Sequence, residues 1–170
     1  MTKTSAVQET RTALEALRRI VQALRVTARD AELRHGLSAA QIFVLHLLAR
    51  DGAASVNELA ERSFTHQSSV SVVVARLAAA GLVVSHRSEA DRRRAEIALS
   101  APGRALLRRI PEPAQTGLVA AIERVPPDER RQLAHGLEAL VREMGIDRGI
   151  AGMFFEDGAT RSRARAKAAR

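Results

Sequence analysis

The sequence predicts a mainly α-helical chain with one small β-hairpin, and three observations carry that prediction. Apolar residues recur at steps of three and four along most of the chain, which is the helical period. Serine-led capping boxes mark where individual helices begin. Around Leu82 the apolar period drops to two, and it returns to the helical value behind Ser100. With 170 residues, 46% of them apolar, the chain is long enough for one domain with a real core, which excludes wholesale disorder.

The first segment, about 5–34, places Leu14, Leu17, Val21, Leu24, Ala28 and Ala31 on one stripe of a long helix. A helix of that length shows more stripe than a small core covers, so a partner surface is expected. Ser38 and Gln41 then open a second helix, Ala39 to Arg50, which is apolar on nearly every side through Ile42, Phe43, Val44, Leu45, Leu47 and Leu48. Such a helix has to be buried all round. Gly52 ends it. Ser55 and Glu58 form a second box for a short helix running to about Arg62, and a third helix starts near Thr65 or His66 and stops at Gly81.

Residues 82–87 read as a strand, Ser88 to Arg94 as a polar turn, and Ala95 to Leu99 as the returning strand. Ser100, with Pro102 behind it, caps another helix, which Pro111 and Pro113 must interrupt because neither can donate to the helical ladder. It resumes through Leu118, Ile122 and Val125. Pro126-Pro127-Asp128 opens the last long helix, striped by Leu133, Leu137, Leu140, Val141 and Met144.

Composition excludes several classes of function. The chain has no Cys, which removes disulfides, thiolate nucleophiles and Cys-based zinc sites. Aromatics are 2%, too few for platforms that stack single-stranded bases. The five His (35, 46, 66, 86, 135) show no metal-binding spacing, no phosphate-cradling glycine loop is present, and Ser68-Ser69 lacks the glycines of a nucleophile elbow. No catalytic residue, metal or cofactor is therefore expected. No segment approaches a membrane span and the N-terminus lacks an apolar signal, so a soluble cytoplasmic protein is the expectation. The net charge is +8, and beyond Gly158 the residues Arg161, Arg163, Arg165, Lys167 and Arg170, with no acid among them, hold five of those charges. The more informative cluster is Arg87 with Arg92, Arg93 and Arg94 in mid-sequence.

Two short helices, a third after a tight turn and then a basic hairpin make a winged helix-turn-helix. With Leu37-Ser38-Ala39-Ala40-Gln41, Glu58-Leu59-Ala60, Ser68-Ser69-Val70-Ser71, Arg76-Leu77, Gly81-Leu82-Val83 and Asp91-Arg92-Arg93, this stretch resembles the MarR family of bacterial transcriptional regulators. The resemblance implies a DNA-binding lobe over 37–100, dimerisation helices over 5–36 and 101–155, and leaves 156–170 as a basic tail. It implies a homodimer on a pseudo-palindromic operator, most often as a repressor, with double-stranded DNA and a second copy as partners.

A helix fits the major groove with its early residues at the base edges, which here are Thr65, His66, Gln67, Ser68, Ser69, Ser71 and Val72. Family members often carry a long basic residue where this chain has Val72. By resemblance Arg93 enters the minor groove, Asp91 holds it in pose, Arg76 supports that brace, and Arg92 and Arg94 follow the phosphates. The resemblance also implies a pocket for a small aromatic acid where the terminal helices meet the lobe, with Arg25, His46 and His35 as its candidate residues. An alternative remains at this point: a winged module with constitutive DNA binding or protein contacts and no effector. Met153-Phe154-Phe155 reads as a packed anchor.

Overall fold

The structure is a computed structural model that describes residues 3–87, 95–146 and 152–155. In chain order it has α1 (Lys3–His35), α2 (Ala39–Asp51), α3 (Val56–Arg62), α4 (Gln67–Ala79), β1 (Val83–Arg87), β2 (Ala95–Leu99), α5 (Ala101–Leu107), α6 (Ala114–Arg124) and α7 (Pro127–Glu143). The mainly helical fold with a small antiparallel hairpin is the one the periodicities predict.

Both capping boxes form. The Ser38 hydroxyl accepts from Gln41 N–H while the Gln41 side chain accepts from Ser38 N–H, and Ser55 and Glu58 make the same exchange. Each box satisfies two of the donors a helix start leaves open. Between them runs α2, the hub of the core: Ile42, Phe43, Val44, Leu45, Leu47 and Leu48 are all buried. Leu59 from α3, Val70, Val73 and Leu77 from α4, and Ile97 and Leu99 from β2 pack around it. An all-apolar helix is stable only where every side meets protein, and this placement supplies that.

The hairpin pairs Val83 with Leu99 at its base and Arg87 with Ala95 at its far end. Its third rung is the bridge between Ala54 and Ile97, whose two backbone hydrogen bonds are 3.0 and 2.8 Å. Ser100 ties the base down: its N–H donates to Leu82 O and its hydroxyl to Gly81 O at 2.7 Å. Pro111 and Pro113 separate α5 from α6, as their missing N–H groups require. Met153 is buried in the core of this same chain, with Phe154 and Phe155 exposed beside it.

The terminal helices behave differently. In the 33-residue α1 only Leu24 and Ala31 are buried among the residues whose side chains are described, and α7 buries none of its residues. Leu14 and Val21 of the α1 stripe and Leu133, Leu137, Leu140, Val141 and Met144 of α7 stand exposed.

Candidate nucleic-acid interface

The interface is built from α3, the turn behind it and α4. Ser63, Phe64 and Thr65 make the turn, held by bonds from Ser63 N–H to Leu59 O, Phe64 N–H to Glu61 O and Thr65 N–H to Ala60 O. His66 is the residue before α4, so the helix begins slightly later than the sequence suggests. Val70, Val73, Val74 and Leu77 form its buried stripe. The opposite stripe presents His66, Gln67, Ser68, Ser71, Val72 and Arg76 to solvent, and Thr65 is half-buried at the turn.

Ser69 does not join that outer face. It is 8% exposed and lies on the inner side next to Val70, one residue around the helix from Ser68. The expectation that it meets a base edge is corrected by the 100° step between neighbouring helical residues. The remaining outer side chains offer hydroxyls, one amide, one imidazole and one guanidinium. The helix contains no acid, so nothing on it opposes the partial positive charge at its N-terminus.

The paired strands carry the hairpin away from the core, with His86 and Glu96 3.6 Å apart across the ladder. Asp91, Arg92, Arg93 and Arg94 lie outside the described residues.

The three candidates for an effector site do not converge. His46 lines a crevice of about 260 Å³ with Leu47, Ala49, Arg50, Glu112 and Thr116. His35 lines a neighbouring one of about 250 Å³, together with Arg34, Asp30, Ile42, Ile110 and Glu112. The two share Glu112, which the proline-interrupted link between α5 and α6 delivers. Arg25 lies on the exposed face of α1 and lines neither. Sequence reading missed Glu112 and Thr116, because no local pattern relates them to a histidine more than sixty residues earlier.

His46 Nε2 and Thr116 Oγ1 are both buried with no hydrogen-bond partner. Burial pulls the His46 imidazole below its ordinary 6.5, against the opposite pull of the Glu112 carboxylate and the Pro111 backbone. The folded chain thus holds this ring neutral at a pH where the unfolded chain already protonates it. Stability is expected to be complete above 6.5 and to fall as the pH drops from there through the lower folded-state value. Denaturant unfolding measured across that window should show a flatter pH dependence for His46→Gln than for the native chain. Identical slopes would refute the assignment.

Residues 35–94 match the model of the MarR family. The chain is 29% identical over 108 residues to the uncharacterised HTH-type transcriptional regulator YfiV of Bacillus subtilis (strain 168), covering 64% of this chain and 68% of that protein. Among solved structures it is similar to BpsR of Bordetella bronchiseptica, studied for the regulation of its DNA binding by 6-hydroxynicotinic acid. That match has 28% identity and a TM-score of 0.51, covering 78% of this chain and 92% of BpsR. The transcriptional regulator BldR of Sulfolobus solfataricus shares the fold at 22% identity and a TM-score of 0.52, over 84% of this chain and 99% of its own.

Proposed function

We propose that this chain is a winged helix-turn-helix transcriptional regulator of the MarR type, acting as a homodimeric repressor on a pseudo-palindromic operator, a reading supported by the family match over residues 35–94. It is a DNA-binding regulator and not an enzyme. The observation that carries the proposal is the outer stripe of α4, which is polar, acid-free and backed by a fully buried stripe. In the proposed complex, α4 of each subunit enters the major groove while the 88–94 loop reaches the minor groove beside it. Arg93 inserts there, braced by Asp91 and Arg76, with Arg92 and Arg94 on phosphates.

A single module of this kind covers roughly 600–1,000 Å² of DNA interface, and two of them about 34 Å apart meet successive turns of one face. The terminal helices, 5–36 and 101–155, are the proposed means of pairing, since among the described residues nothing buries the stripe of α7. The protein would act in the cytoplasm; among the described residues no helix is long and apolar enough to cross a membrane.

The effector is a small aromatic acid, as the BpsR relative's 6-hydroxynicotinic acid suggests, seated in the His35 crevice. That crevice holds Arg34 at its mouth, paired to Asp30 at 2.5 Å. The His46 crevice then couples to it through the shared Glu112. The decisive experiment is a salt-titrated gel shift on the DNA upstream of the protein's own gene. Each phosphate neutralised contributes about 0.9 to the log–log slope, so Arg93→Ala should bind more weakly with a shallower slope. Unchanged binding by that variant refutes the wing assignment. A thermal-shift screen of hydroxylated aromatic acids tests the effector, and a genuine one both stabilises the protein and weakens its DNA complex.

A further inference from the structure

Phe64 sits in the turn between α3 and α4 with its side chain 70% exposed and its backbone at φ +52. A bulky residue in the left-handed region is strained, and the penalty is on the order of 1 kcal/mol or more. The other described residues with positive φ are glycines that follow helices (Gly36, Gly52, Gly81 and Gly145), with Phe155 the one further exception. Glycine would remove both the strain and the exposed ring here. The ring buries too little to stabilise the fold in return, so packing does not explain it.

Its surroundings are informative. Phe64 lines one crevice with Asn57, Ala60, Glu61, Thr65 and Gln67, so the ring stands beside the first turn of α4. Glu61 makes that crevice unfavourable for a phosphate, which leaves the uncharged base edges as the DNA surface it fits. Val72, 42% exposed, supplies a second apolar contact at the other end of the Gln67–Ser68–Ser71 stripe. Before Arg76 the stripe has no guanidinium or ammonium for the two acceptors of guanine. Gln67 matches the donor–acceptor pair of adenine, and apolar groups match the one feature that thymine alone presents, its C5 methyl.

We propose that Phe64 and Val72 are specificity-determining residues that read thymine methyl groups in the major groove of an A·T-containing half-site. The proposal rests on the DNA-binding reading above and names the bases it selects.

The test uses duplexes enriched from a random pool by the full-length protein, each made again with deoxyuridine in place of thymidine. The exchange deletes only the methyl groups. Binding is expected to weaken about fourfold for each contacted methyl, the equivalent of one buried methylene. Phe64→Gly should lose most of that discrimination while keeping the salt slope, with a melting temperature equal to or above the native one. Val72→Ser should lose the contribution of a different position. Equal affinity of the native protein for thymidine and deoxyuridine duplexes, or full discrimination in both variants, would overturn the proposal while leaving DNA binding intact. Failure to bind any duplex at low salt would overturn the DNA-binding reading and this proposal with it.

Discussion

On the proposed pairing, the double variant Leu137→Asp, Leu140→Asp is expected to yield a folded monomer that binds DNA about 10²–10⁴-fold more weakly than the native protein, the range lost when two linked sites become one. The reason lies in α7, seventeen residues long with an apolar stripe and no buried residue. An amphipathic helix gains little from its pattern while its stripe stays exposed, and among the described residues nothing buries this one, so a second copy is the cover proposed for it. Two aspartates there would have to be desolvated without partners in any apolar interface. The winged lobe should survive, because Phe43, Leu59 and Leu77 pack in a core to which α7 contributes no residue. Light scattering reports the mass and far-UV circular dichroism the helicity. A variant that remains a dimer, or a monomer that holds DNA as tightly as the native protein, would defeat the pairing scheme.

Gly103→Ala is expected to cost about 3 kcal/mol or more, at the upper end of over-packing penalties. A β-carbon at this buried position of α5 would overlap the Leu82 carbonyl oxygen and stand 3.1 Å from its carbonyl carbon. Neither atom can rotate away. The Leu82 oxygen also accepts the Ser100 N–H, and Ser100 Oγ accepts from Gly103 N–H at 3.0 Å, so a displaced α5 loosens the whole base of the hairpin. The melting temperature should fall by roughly 6–12 °C for a chain of this size, and DNA affinity should fall with it as the wing loses its aim. Gly117→Ala is the contrast. Its added carbon meets nothing within 4 Å in the middle of α6, and the gain in helix propensity predicts a slight rise in stability. A melting temperature for Gly103→Ala equal to that of Gly117→Ala would rule the clash out.

Which features could be read in advance depended on how far apart in sequence their causes lie. The starts of α2 and α3 were legible because a capping box is complete within four residues. The burial of α2 was legible because its composition permits nothing else. The outer stripe of α4 was legible apart from Ser69, whose neighbours Ser68 and Ser71 have the same chemistry and differ from it only in angle around the helix. Phe64 gave no signal at all, since nothing in its residue type announces a left-handed backbone. The crevice at His46 was half legible: one polar ring in an apolar helix was visible, and the carboxylate facing it was not.

By itself, the sequence determined where the helices and strands begin to within a few residues, which face of most is apolar, and the order that makes a winged helix-turn-helix. Those follow from bonds and periods spanning a few residues. Only the tertiary structure decided that Gly103 must lack a side chain against Leu82, that Glu112 comes to His46 and His35 together, and that the stripe of α7 finds no cover among the described residues. Each depends on where distant segments meet, and that is settled by close packing of the whole core, not by any local preference.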